Sequence, residues 1–133
     1  MTVQYSTTVR NAMGDAWESG MGVSAKIQIY TGAQPDNCAT AASGTKLAEF
    51  ALASDWCAVA ASGAKTLNSL PLATTGLAAG TAGYYRFVDS ADTTCHEQGS
   101  VGTSGTDMII DNASIALSQA VQITGFTKTW PGA

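Results

Sequence analysis

Three cysteines and a single histidine are the residues of this chain best suited to nucleophilic, redox or metal chemistry. Cys38, Cys57 and Cys95 lack Cys-x-x-Cys spacing, the pattern typical of zinc ribbons and dithiol redox sites. His96 directly follows Cys95, and adjacent residues of a strand point to opposite faces of its sheet. These two side chains are therefore a poor nucleophile–base pair and poor joint ligands for one tetrahedral zinc ion.

The cysteines have two other interpretations, which the sequence leaves open. They can be reduced thiols, or two of them can form a disulfide after release from the cell. Cys57 lies in the apolar stretch 56–60 and is predicted to join the core. Cys38 and Cys95 both lie in polar, turn-rich stretches, so they are the preferred pair if a disulfide forms.

The acidic residues do not form a recognisable calcium site. Asp89 and Asp92 flank one turn, and Asp107 and Asp111 flank a predicted strand, but none belongs to an Asp-x-Asp-x-Asp-Gly loop. Aspartates in such positions usually accept hydrogen bonds from backbone N–H groups. The sequence also contains no Gly-x-x-x-x-Gly-Lys-Ser/Thr phosphate loop. We therefore predict no catalytic, cofactor-binding or metal-binding residues and no enzymatic activity.

The composition excludes several classes of protein. The 133 residues include only 12% charged side chains, with six Lys and Arg against ten Asp and Glu. A net charge of −4 argues against binding to nucleic acid or to an anionic membrane surface, both of which need clustered cations. A hydrophobic content of 45% argues against disorder. Ala, Gly, Ser and Thr make up about half of the chain, and a surface poor in long charged side chains is typical of protein interfaces.

One amphipathic helix is predicted near the N-terminus, over residues 7–18. Its apolar stripe consists of Val9, Met13 and Trp17, with Ala12 and Ala16 beside them. Ser6 or Thr7 can cap its start, and Gly20 and Gly22 can end it. The stripe either packs on the chain's own sheet or contacts a partner.

After Gly22 the periodicity changes to two, which is typical of half-buried strands. Residues 25–31 alternate, with Ala25, Ile27 and Ile29 predicted to face inward. In the last predicted strand, Phe126 and Trp130 lie opposite Val121 and Ile123, while Lys128 and Pro131 are typical of an edge. The predicted strands are 25–31, 47–52, 56–60 (a strand or the lead-in to one), 83–88, 94–101, 107–111 and 121–130. Long loops are predicted at 32–44 and 61–80, and the second can contain a weak strand at 66–72.

These elements predict a mainly β fold: an antiparallel β-sandwich, or a barrel-like sheet, with one short N-terminal helix. The chain is predicted to form a single domain, 1–133, with an N-terminal arm or helix at 1–22 and the β-sandwich at 23–133. The N-terminal residues have no basic and apolar segments typical of a signal peptide, so we expect synthesis in the cytoplasm.

Nearly the whole chain resembles a family of small virion structural proteins of tailed bacteriophages and prophages. The resemblance rests on Ser24-Ala-Lys-Ile-Gln-Ile-Tyr-Thr-Gly32, Pro35-Asp-Asn-Cys38, Leu47-Ala-Glu-Phe50, Thr81-Ala-Gly-Tyr-Tyr-Arg86, Thr94-Cys-His-Glu-Gln-Gly99, Asp107-Met-Ile-Ile-Asp-Asn112 and Val9-Arg-Asn-Ala12. It implies a non-enzymatic protein of the virion, made in the cytoplasm of the host bacterium. Its expected partners are other virion proteins and further copies of itself.

Three functions are compatible with this resemblance. The first is a capsid decoration, or cement, protein that packs in many copies on the head. The second is a neck, collar or tail accessory protein. The third is a carbohydrate- or receptor-binding module, for which a sugar-binding face could be formed by Tyr30, Trp56, Tyr84, Tyr85 and Trp130. For assembly, the candidate contacts are Val9, Met13, Trp17, Phe126 and Trp130.

Overall fold

A computed structural model of the chain describes residues 3–130 and 132, so Pro131 lies outside the described residues. Within them the chain forms one helix, α1 (Thr7–Met21), and ten strands. The strands are β1 (Lys26–Thr31), β2 (Lys46–Ala51), β3 (Ala64–Thr66), β4 (Leu72–Thr75), β5 (Gly80–Val88), β6 (Cys95–Gly102), β7 (Met108–Ile110), β8 (Ser114–Ile115), β9 (Ala120–Gly125) and β10 (Thr127–Thr129).

The main sheet is nearly closed and barrel-like. Its strand order is β2-β1-β5-β6-β7-β9-β4, and β8 pairs with the start of β5. At the closure, Leu77 N, which follows β4, donates a hydrogen bond to Leu47 O on β2 at 2.8 Å. This confirms the mainly β fold with one helix, in its barrel-like form. The strand pairs are antiparallel except for a short parallel pairing of β6 with β7 at Val101 and Met108, which the sequence did not predict.

The sequence prediction of one strand over 121–130 is wrong. The chain breaks at Phe126, so that β9 stays in the main sheet while β10 pairs with β3 in a separate two-stranded ribbon. Because the break resets the alternation, Phe126 is buried like Val121 and Ile123 instead of facing the opposite side. The stretch 56–60 is not a strand either, since Cys57 forms only an isolated bridge with Leu67.

The core fills the barrel with the inward side chains of β1, β2, β5 and β9, as the alternation of Ala25, Ile27 and Ile29 predicts. Helix α1 and the ribbon cover one side of it. There Trp17 lies at the centre of an aromatic cluster. Its ring centroid is 5.3 Å from Trp56, 5.8 Å from Phe87, 6.3 Å from Phe126 and 5.7 Å from Trp130.

Polar contacts also attach α1 to the ribbon. Of the two predicted caps, Ser6 is the one used: its Oγ accepts a hydrogen bond from Val9 N at 3.2 Å, and Thr7 is the first helical residue. Arg10 Nε donates to Trp130 O at 3.0 Å. The buried Lys65 Nζ on β3 forms ion pairs with Asp15 at 3.0 Å and Glu18 at 2.6 Å. The helix is therefore an integral part of the fold.

The predicted apolar stripe of α1 is only partly correct. Trp17 faces the core, but Val9 is 43% exposed, and Ala12 and Ala16 are also exposed. The buried face instead passes through Gly14, Trp17 and Met21. Gly14 permits this close approach, because a Cβ at its position would lie 2.9 Å from Trp130 Cζ3.

Candidate functional site

A row of polar side chains crosses the outer face of the sheet. Glu49 on β2, Gln28 on β1, Arg86 on β5 and Gln98 on β6 are successive cross-strand partners. Gln28 Nε2 donates to Glu49 Oε1 at 2.9 Å. Gln28 and Arg86 are only 1% and 4% exposed, although both point away from the barrel core. Strand alternation places them on the face where a polar residue normally meets solvent.

The loop 32–45 explains their burial, because it folds back over this row. Tyr84 OH donates to Ser43 O at 2.7 Å, and Gln98 Nε2 donates to Pro35 O at 2.7 Å. Arg86 Nη2 donates to Cys38 O and Thr40 O, both at 2.8 Å. The outer side chains of β5 and β6 thus satisfy the loop's backbone carbonyls, which would otherwise lack partners when covered.

Cys38 and Cys95, the two cysteines chosen from the sequence, lie together at this site. Both thiols are free and half-buried. Burial, together with a hydrogen bond to the Cys95 thiol, raises the pKa of Cys38 to about 11. Arg86 Nε donates to Cys95 Sγ at 3.1 Å. The structure brings the predicted pair into contact without a disulfide, so the bond itself stays a prediction. Cys57 is buried as expected, and burial raises its pKa to about 11.

A pocket of about 260 Å³ opens over these groups. Its lining includes Arg86, both thiols, Tyr30, Thr40 and Asp92. Among the described residues no group of three His, Cys, Asp or Glu side chains is placed to hold a metal ion. His96 is exposed on β6. The pocket therefore places a buried cation beside polar groups and one carboxylate, that of Asp92, an arrangement suited to binding a small polar ligand.

The candidate assembly residues have different surroundings. Trp17, Phe126 and Trp130 come together in the aromatic cluster, and Trp17 Nε1 donates to Glu97 Oε1 at 2.9 Å. Phe126 is 4% exposed, so its side chain contacts the chain's own core and is unavailable to a partner. Val9 is exposed and Met13 is half-buried, and their role as contacts stays a prediction.

The aspartates act within turns, as their positions predict. Asp89 Oδ1 accepts from Thr93 N at 2.7 Å, and the hydrogen bonds from Thr93 lower the pKa of Asp89. Asp107 Oδ2 accepts from Ser100 N at 3.0 Å and from Ser100 Oγ at 2.9 Å. These bonds, the backbone one first, hold the pKa of Asp107 below its usual range.

The predicted aromatic face for sugar binding does not form. Trp56, Tyr84 and Tyr85 are all buried. Tyr84 stacks on Tyr30 with centroids 5.3 Å apart, and Tyr85 OH donates to Glu97 Oε2 at 2.7 Å. Aromatic residues on strands serve the core here, as they usually do.

Two features of the molecule were not predicted from the sequence. Leu77 is 50% exposed and Leu117 is 68% exposed, on loops joined by hydrogen bonds from Gly76 N to Gln119 O at 2.7 Å and from Ser118 N to Gly76 O at 2.8 Å. Loops carry no hydrophobic periodicity from which this pairing could be predicted. The second feature is the burial of Arg86. The sequence offered one signal for it, which is the position of this arginine inside the predicted aromatic strand 83–88.

The chain matches no family model, no curated protein and no solved structure. No helix within the described residues is of the length and apolarity that crossing a membrane requires.

Proposed function

We propose that this chain is a non-enzymatic structural protein of a tailed-phage virion, and specifically a capsid decoration protein that packs in many copies on the head. The sequence motifs that resemble such proteins support the family assignment. The observation that carries a role in assembly is the exposure of Leu77 and Leu117 on adjoining loops at one place on the surface.

The physical argument starts from the cost of exposing apolar side chains. Large apolar groups that lie together on a surface lose unfavourable contact with water when a partner covers them. The surroundings favour such contact, because only 12% of the residues are charged and few charges need desolvation. A small β domain with this surface suits symmetric, repeated contacts between copies.

The buried aromatic cluster narrows the set of assembly contacts. Since Trp17 and Phe126 are used inside the fold, we assign the contacts with other virion proteins to Leu77, Leu117 and Val9. Neck, collar or tail accessory proteins would use the same kind of surface in smaller rings. Burial of Trp56, Tyr84 and Tyr85 disfavours the carbohydrate-binding alternative.

Copy number tests the proposal. Quantitative mass spectrometry of purified particles compares this chain with the major capsid protein. A ratio of about one, or about one-third, is expected for a protein that follows the head lattice. A ratio of a few per cent would overturn decoration in favour of the neck or tail. Absence of the chain from particles would overturn the virion assignment.

The contact surface has its own test. Leu117→Asp is expected to lower the occupancy on particles more than about tenfold, because a charge would be desolvated in the contact. Ser104→Asp is the matched control, since it adds the same charge at an exposed position of another loop. Equal occupancy for both variants and the wild type would contradict the assigned surface.

A further inference from the structure

We infer that the pocket over Arg86 binds a carboxylate group, with the Arg86 guanidinium as its main recognition element. This inference does not depend on the proposed virion function, because it rests on the charge and hydrogen bonding of a buried side chain. The pocket is a second binding surface, built from β1, β5, β6 and the loop 32–45.

The first argument is the missing counterion. Arg86 is 4% exposed, yet none of the ion pairs among the described residues includes it; those pairs use Lys46, Lys65 and Lys128. The hydrogen-bond acceptors of Arg86 are two backbone carbonyls and the sulfur of Cys95, and none of them is a carboxylate. A buried cation without an anion is strongly disfavoured, so an anionic ligand would relieve an existing cost.

The second argument is a free donor on Arg86, one of the residues that line the pocket. Nε and Nη2 of Arg86 make the hydrogen bonds just described, whereas Nη1 makes none to the described residues. Nη1 is not sealed off, because the only sealed side-chain polar atom without a partner in the described part of the chain is Gln98 Oε1. Two N–H groups are therefore left for a ligand's oxygen atoms.

The third argument is the size and polarity of the space. A pocket of about 260 Å³ accommodates a carboxylate with a few attached carbon atoms. Ala39, Ala41 and Ala42 also line it, and their small side chains occupy little of the space. A carboxylate forms stronger hydrogen bonds with a guanidinium than any neutral group does.

Asp92 is the one acidic residue in the lining. It provides a test, because the inference predicts whether removing its charge raises or lowers the affinity for an anion. It is exposed, and it lies too far from Arg86 to form an ion pair. Its negative charge must weaken the binding of an anion in the same pocket. Asn tolerates the positive φ of 56° at this position, so Asp92→Asn removes the charge without straining the turn.

The experiment is an NMR titration of the ¹⁵N-labelled full chain with sodium acetate, with sodium chloride as the control at equal ionic strength. We expect saturable shifts at Thr40, Thr94 and the Arg86 side chain, with a Kd of about millimolar strength. Asp92→Asn should tighten acetate binding by about twofold to tenfold. Asp36→Asn, the same charge change outside the pocket, should leave the affinity unchanged.

Arg86→Gln should abolish the saturable shifts if the variant folds. If it does not fold, the comparison of Asp92→Asn with Asp36→Asn still decides. Identical responses to acetate and chloride would overturn the inference, as would equal affinities in the two aspartate variants.

The carboxylate can come from a small molecule or from a side chain of a second copy. Dimers that acetate dissociates in analytical ultracentrifugation would identify the second copy, whereas acetate binding to a chain that remains monomeric would identify the small molecule.

Discussion

Replacing Trp17 by alanine tests whether the helix is part of the folded core. The Trp17 ring contacts four other aromatic rings, with centroids 5.3–6.3 Å away. Its Nε1 donates to Glu97 Oε1 at 2.9 Å, and the same oxygen accepts from Lys128 Nζ at 2.9 Å. The substitution therefore removes both packing and a hydrogen bond at the centre of the cluster.

The expected loss follows from the burial of the ring. Truncation of a buried tryptophan to alanine costs about 3–5 kcal/mol. Trp17 is half-buried, so we take the lower end, about 3 kcal/mol. Domains of ordinary size have unfolding free energies of about 5–15 kcal/mol, and the variant should stay folded. With a urea m-value of about 1–3 kcal/mol/M, the midpoint should fall by about 1–3 M.

The assay is urea unfolding followed by far-UV circular dichroism, because removal of a tryptophan alters the fluorescence signal itself. Val9→Ala is the matched control, since Val9 lies on the exposed side of the same helix. Its unfolding free energy should change by less than about 0.5 kcal/mol. A loss below about 1 kcal/mol for Trp17→Ala would refute the reasoning and favour a detached N-terminal arm.

Two further predictions concern titratable groups. Because the pKa of Asp107 is lowered in the folded state, its carboxylate should stabilise the fold above about pH 4, and this stabilisation should be lost as the pH falls further. The difference in urea midpoint between the wild type and Asp107→Asn should therefore shrink in acid. A difference that stays constant with pH would contradict this prediction. Because burial raises the pKa of Cys57 and of Cys38 to about 11, both thiols should react slowly with iodoacetamide in the native protein at about pH 8, and rapid native labelling would contradict it. If Cys38 and Cys95 form a disulfide in mature particles, alkylation after denaturation without reduction should modify Cys57 alone, whereas labelling of all the cysteines would refute the bond.

Much of the fold could be predicted because it is encoded locally. Ser6 and Thr7 predict where the helix starts, and the alternation of Ala25, Ile27 and Ile29 predicts the inner face of β1; the structure has both, with Ser6 as the cap. In each case the signal lies within a few residues of the feature that it predicts.

The candidate site could not be predicted, because distant segments build it. The alternation of its strand predicts that Gln28 faces solvent. It is buried because the loop 32–45 folds back over the outer face of β5. The break at Phe126 likewise depends on β3 being available to pair with β10. The exposure of Leu77 beside Leu117 depends on two loops that meet only in the folded chain.

The sequence by itself determined the class of the fold, the single helix and the inward face of β1, because helix capping and hydrophobic periodicity depend on residues that are close together in the chain. The tertiary structure alone decided that Arg86 is a buried cation without a counterion and that Trp17 serves the core. Burial on the outer face of a sheet depends on which segment covers it, and that is a property of contacts between residues far apart in the chain.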